Sequence, residues 1–296
     1  MQKIVKPIII VGTGRCGSTM LHRVFAKHPD IGWLSTFNDV FPTQHWLSMF
    51  SNLYRKRLFD KIKHQSFFPK PFESYKFWEH YLPGFSRRNK PLTAEDVPEP
   101  GIEPVRKAAS NVLKYQGRDR FLVKVTGWAR IAYFNRIFPD AVFIFLKREY
   151  RSVVSSWVQA GWLDVTSGLN SPDWQWGAVP EYYRQTWEEL GELPILSAAV
   201  KIQLDIDDIR KNLAQFPGRC YEMQYETLIS DPKKVLREVL EFCDVSWKRE
   251  FEDKLNSMKF YNPVNKWKKY LSEQEGNLIL EFFNRVNGQE LVSQPG

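Results

Sequence analysis

Apolar positions along the chain follow two different periods. Pro7-Ile8-Ile9-Ile10-Val11-Gly12 is an unbroken apolar run rich in β-branched residues, which predicts a strand covered on both faces. From Ser18 to Lys27 the spacing becomes helical, through Met20, Leu21, Val24 and Phe25, and His28-Pro29-Asp30 ends it because Pro29 disfavours helical geometry at His28. Further buried strands are expected at Phe121 to Val125, at Ala141 to Leu146 after the turn Phe138-Pro139-Asp140, and at Gly218 to Gln224 after a helical segment over 196–215. Strands alternating with helices predict an α/β chain: a single three-layer domain over 1–296 with a parallel sheet flanked by helices. A mostly helical, aromatic-rich insert over about 31–118 separates the first two strands, and a Pro- and acid-rich loop from Pro91 to Pro104 closes it. A second loop, 161–180, is rich in Gly, Ser and Trp and too long for a plain connector; loops of that length are functional or disordered, and this one is expected to serve the acceptor site.

Composition narrows the ligand. The formal charge of +8 and pI near 9.2 point to an anionic partner. The basic residues stand in short groups, Arg55-Lys56-Arg57, Arg87-Arg88 and Lys266 to Lys269, without a long basic arm, so a dedicated nucleic-acid binder is not expected. The density of Trp, Phe and Tyr suggests a large core and an aromatic-lined cleft. Three cysteines without a close pair argue against a disulfide scaffold and for a reducing compartment, and the five histidines lack metal-ligand spacing. The first apolar run is too short for a signal segment or a spanning helix, so a cytoplasmic protein with no metal and no membrane partner is expected.

The chemistry starts at Gly12-Thr13-Gly14-Arg15-Cys16-Gly17-Ser18-Thr19, a glycine turn between strand and helix where backbone N–H groups converge on a phosphate-like anion. Its spacing matches the phosphate loop G-x-x-x-x-G-K-[ST] except that Ser18 replaces the lysine. A kinase or NTPase also needs an acid on a neighbouring strand to hold magnesium, but the third expected strand runs into Lys147-Arg148. A basic strand end attracts a second phosphate instead. The bland alternative is a turn that only packs a helix on a strand, and a non-catalytic nucleotide-binding protein is a further one.

Here the chain resembles the sulfotransferases that use 3′-phosphoadenosine 5′-phosphosulfate (PAPS). Gly14-Arg15-Cys16-Gly17-Ser18-Thr19 and His28-Pro29 are similar to that family's P-R-S-G-T-T loop and the H-P that ends its helix. Phe143 to Arg148, then Glu149-Tyr150-Arg151-Ser152 and Ser156, resemble its apolar strand and R-[DN]-P-x-D-x-x-x-S 3′-phosphate motif, with Tyr150 and Ser152 departing from the usual Pro and Asp. Tyr225-Glu226-Thr227-Leu228 with Asp231-Pro232 resembles the segment whose tyrosine lies by the adenosine. Lys266-Trp267-Lys268 resembles a C-terminal W-K that closes over the nucleotide, but the basic pair that usually precedes it is reduced to Lys259.

The resemblance implies a P-loop-like sulfotransferase architecture, PAPS as sulfate donor, PAP as product, and a small-molecule or carbohydrate acceptor. Arg15 would touch the sulfate and bridging oxygen, and Gly14, Cys16, Gly17, Ser18 and Thr19 would hold the 5′-phosphate. Arg148 and Ser156 would hold the 3′-phosphate, with Tyr225, Lys266, Trp267 and Lys268 around the nucleotide. Read alone, Arg148 would more often be a surface ion-pair partner, and its register with Ser156 and the glycine turn favours the phosphate site instead. Lys124 aligns with a family lysine near the transferring group, the alternative being a strand-end lysine reaching solvent. Cys16 at a helix N-terminus is either a low-pKa thiol or a backbone donor, and its place in the loop favours the donor. The usual bases are replaced by Thr126 and Thr36. Asp39 and His45 are the nearest substitutes in sequence, with Glu73, Glu79 and His80 further off. Asp39 is alternatively a helix cap, and His45 a packed histidine among aromatics. The aromatic segments 33–50, 67–85 and 157–187 are expected to line the acceptor cleft.

Overall fold

A computed structural model of the chain describes residues 3–87, 90–162, 168–172, 174, 176–261 and 265–290, so Arg88 and part of the 161–180 loop lie outside the described residues. Five strands, β1 Ile8–Val11, β2 Ile31–Trp33, β3 Arg120–Lys124, β4 Val142–Lys147 and β5 Cys220–Gln224, form one sheet in the order β2-β3-β1-β4-β5. Every pairing is parallel. All four β1 side chains are fully buried, and alternate ones serve opposite faces. Ile9 and Val11 join Phe77, Trp78, Val105, Val112 and Phe134 on one side, whereas Ile8 and Ile10 join Leu21, Val24, Leu236 and Val239 on the other. A strand with apolar layers on both faces cannot alternate with polar residues, which explains the unbroken run. A third apolar cluster joins the helices Tyr150–Gln159, Glu181–Glu189, Pro194–Leu213 and Glu273–Glu290.

Two features depart from the sequence reading. The insert opens with strand β2 at the edge of the sheet. Three residues around Gly32 are too short for a periodicity signal, and the strand is completed by a side chain. The Gln116 carboxamide accepts from Trp33 N–H at 3.0 Å and donates to Trp33 C=O at 2.7 Å, standing in for a neighbouring strand. The second departure is at the end of the insert, where the helix Glu99–Gln116 begins inside the stretch from Pro91 to Pro104. Pro100 sits in its first turn, where a missing N–H costs no intrahelical bond.

Most of the aromatic mass is core. Trp33, Trp78 and Trp187 are among the largest fully buried side chains, and Trp78 packs on Phe85 and Phe134 with ring centroids 5.6 and 5.1 Å away. The chain leaves β1 toward β2 on one side of the sheet and leaves β3 toward β4 on the other. The carboxyl ends of β1, β3 and β4 therefore border a crevice at a topological switch point, where open parallel sheets bind ligands.

Candidate functional site

The glycine turn sits at that crevice because only glycine fits. A Cβ on Gly12 would stand 2.6 Å from the Leu146 carbonyl oxygen of β4, and one on Gly17 would stand 2.3 Å from the Tyr225 ring. Arg15 and Gly17 both take positive φ, 71° and 98°, and the helix Ser18–Phe25 follows at once. A left-handed arginine is a costly conformation held by its surroundings. Here the Trp157 indole N–H donates to Gly14 C=O at 3.1 Å, and Arg148 Nη1 donates to Arg15 C=O at 3.2 Å. Glu149 fixes the supporting helix by accepting from the N–H groups of Arg151 and Ser152. The turn thus presents the open N-terminus of an eight-residue helix, whose first N–H groups have no intrahelical acceptor.

Charged side chains converge around it. Arg15 Nε donates to Ser156 Oγ at 2.9 Å, and its guanidinium lies 5.4 Å from the Trp162 ring. Arg148 lies 4.7 Å over the Tyr225 ring, and its buried Nε has no partner among the described residues. Lys124, at the end of β3, reaches Thr19 Oγ1 at 3.0 Å and Glu73 Oε1 at 3.0 Å. Thr126 Oγ1 donates to the same Glu73 oxygen at 2.9 Å. One cavity of about 990 Å³ is lined by Arg15, Thr19, Glu73, Lys124, Arg148 and Ser156, with Gly17, Ser18, Tyr225 and Lys266 also on its wall. The backbone cradle, the unpartnered Arg148 Nε and the positive wall fit a ligand with two anionic ends.

Glu73 is the residue that sequence reasoning set aside in favour of nearer ones. Its segment is pinned by an isolated bridge between Ser35 and Pro71, by Ser74 Oγ donating to Ser35 C=O at 3.0 Å, and by the Trp78 indole donating to Glu73 C=O at 3.2 Å. Ser74 itself takes φ 53°. No local pattern carries this placement, because the bridge joins segments far apart in the sequence. Neither Asp39 nor His45 is brought to this cavity. Asp39 Oδ1 accepts from the Lys76 N–H and so caps the helix Tyr75–Tyr81, while His45 Nε2 bonds the Tyr81 hydroxyl at 2.8 Å. Burial pushes the His45 imidazole below its usual pKa. Glu79 accepts from the N–H groups of Gly84 and Ser86, and His80 packs on the Tyr81 ring.

The remaining residues divide. The Cys16 thiol is fully buried and burial raises its pKa, the opposite of a reactive thiolate. Lys259 and Lys266 line the cavity. Trp267 instead turns inward, 4% exposed, under the Arg151 guanidinium at 4.5 Å, and Lys268 pairs with Glu273 at 2.9 Å. Of the aromatic segments expected to line a cleft, 157–187 contributes Gln159 and Trp162, 67–85 contributes Glu73, and 33–50 contributes none of the described lining. The segment 54–64 and the outer side of helix Ser18–Phe25 take its place.

A family model described as the sulfotransferase family matches residues 7–249. Among solved structures, the sulfotransferase STF9 from Mycobacterium avium matches with a TM-score of 0.59 at 15% identity, covering 95% of this chain and 77% of that one. The sulfotransferase STF1 from Mycobacterium tuberculosis H37Rv matches with a TM-score of 0.51 at 13% identity, covering 92% and 78%. At these identities the likeness is one of fold. An uncharacterized protein of Aquifex aeolicus (strain VF5) is 35% identical in an alignment of 69 residues, with coverage of 19% of this chain and 9% of that protein's length.

Proposed function

The chain belongs to the sulfotransferase family, and on that footing we propose that it moves a sulfuryl group from PAPS to a hydroxyl or amine of a small-molecule or carbohydrate acceptor. The observation that carries this reading is the continuity of one cavity from Glu73 and Lys124, through the glycine turn and Arg15, to Arg148 and Ser156. When bound, the donor supplies an activated sulfuryl group on a phosphate leaving group.

The protein's part is to orient and to stabilise charge, as in phosphoryl transfer. The N–H groups of residues 16–19, with the Ser18 and Thr19 hydroxyls, hold the 5′-phosphate at the helix N-terminus. Arg15, steered by Ser156 and Trp162, sets a fixed positive charge where negative charge develops on the leaving oxygen. Ser156 accepts from Arg15 and keeps its own proton to donate, so with Arg148 it serves the 3′-phosphate. Tyr225, stacked beneath Arg148, offers its ring to the nucleoside.

Glu73 is assigned as the general base. It stands beside Thr126, where cytosolic members of the family carry their histidine, and Lys124 ties it to Thr19 of the phosphate loop. A carboxylate so placed takes the acceptor proton while Lys124 stays within reach of the transferring group. The test is transfer of labelled sulfate from PAPS across a panel of phenols, amines, alcohols and glycans. Transfer to at least one class is expected, without added magnesium. PAP binding with no transfer to any class would leave a nucleotide-binding protein instead.

A further inference from the structure

The cavity carries more positive charge than a nucleotide needs: among the described residues, eleven arginines and lysines line it against two carboxylates. Arg15, Lys124, Arg148 and Lys266 belong to the donor reading, but Arg23, Lys27 and Lys63 lie elsewhere on the wall. Thr19, Arg23 and Lys27 are spaced by four residues along helix Ser18–Phe25 and its exit, so they share one side. Thr19 bonds Lys124, which holds Glu73. The stripe therefore starts at the reaction centre and runs about 6 Å to Arg23 and about 12 Å to Lys27, away from the loop that carries Arg15.

The fold meets these charges only in part. Arg23 Nε is buried without a partner among the described residues, a desolvated donor that destabilises the fold when left unmet. Lys27 is 8% exposed, donates to the Tyr54 carbonyl at 3.0 Å and lies 4.3 Å from the Tyr54 ring. Lys63 approaches the same ring at 5.9 Å. Glu73 apart, Asp60 is the only carboxylate of the lining among the described residues, and it is already paired with Lys63. Burial and the neighbouring Lys63 bring Lys27 down to about 7, with Lys254 opposing and Asp60 favouring its charge. A bound anion would restore its proton.

We infer that Arg23, Lys27 and Lys63 form a second oxyanion subsite, which receives a carboxylate, phosphate or sulfate carried by the acceptor. The inference rests on the donor reading given above. The acceptor hydroxyl or amine then lies at Glu73, with its anionic group one to two helical turns away.

Calorimetry of the PAP-saturated protein with inorganic sulfate tests the subsite. Saturable sulfate binding is expected, weakened at least about tenfold by Arg23→Gln and restored by Arg23→Lys, with PAP affinity lowered less than about threefold. In transfer assays 4-hydroxyphenylacetate should exceed 4-hydroxyphenylacetamide in kcat/KM by at least about tenfold, and Arg23→Gln should flatten that ratio. No sulfate binding, or binding that Arg23→Gln and Lys27→Met leave unchanged, overturns the subsite. Equal losses of PAP and sulfate affinity give the stripe to the donor, and a wild-type ratio near one denies the acceptor its anion; either result overturns the inference. Failure of PAP itself to bind is a separate result, which overturns the donor reading.

Discussion

Residue by residue, the site divides into what spacing can reveal and what only folding can assemble. Arg15, Ser18, Thr19, Arg148 and Ser156 stand at fixed distances from a strand end, so local pattern points to them. Glu73 does not, because it reaches Lys124 through a bridge between Ser35 and Pro71 and a left-handed Ser74. Nearness in sequence favoured Asp39 and His45, which the fold turns to capping and packing. Glu73→Gln should lower kcat by about a hundred- to ten-thousandfold with little change in PAP affinity. Asp39→Asn should cost at most about 1 kcal/mol of stability and spare turnover, as measured by denaturant melts and initial rates. Arg15→Ala should lower kcat by about a hundredfold or more while PAP binding weakens far less. Lys27 offers a test by pH. Its folded pKa of about 7 lies below that of an unfolded lysine, so its burial destabilises the fold fully below pH 7, and the cost fades as pH rises toward 10.5. Lys27→Met should therefore be about 1–3 kcal/mol more stable than the parent at pH 7, with the gain shrinking in melts at higher pH.

At the scale of elements, β1 and the helix Ser18–Phe25 are the most legible part of the chain. Two-faced burial leaves an unbroken apolar run, and the turn after it must be glycine where Leu146 and Tyr225 press against it. β2 is the least legible, since its three residues pair with β3 on one side and Trp33 takes backbone partners from the Gln116 side chain on the other. Gln116→Ala leaves the Trp33 N–H and C=O buried without that partner. It should cost about 1–3 kcal/mol in thermal or urea unfolding, more than a surface glutamine would. The helix Glu99–Gln116 was hidden for the opposite reason: of the prolines that read as loop, Pro98 and Pro100 sit at its start, where a helix tolerates them, and Pro104 lies inside it at the loss of one backbone bond. The aromatic segments were legible as aromatic but not as core, because composition does not say which rings face a cleft.

For the whole molecule, an excess of positive charge becomes a position. The strand order β2-β3-β1-β4-β5 puts the ends of β1, β3 and β4 side by side, and each delivers a cation: Arg15 in the turn after β1, Lys124 at β3, Arg148 beyond β4. No described helix is long and apolar enough to cross a membrane. The central claim is that these cations grip both ends of one doubly phosphorylated adenosine. Calorimetry with PAP and with 5′-AMP, on the parent and on Arg148→Ala, tests it most directly. The parent should bind PAP about a hundredfold more tightly than 5′-AMP, and Arg148→Ala should remove most of that preference. Equal affinity for the two nucleotides, or a preference that survives the loss of Arg148, would contradict it.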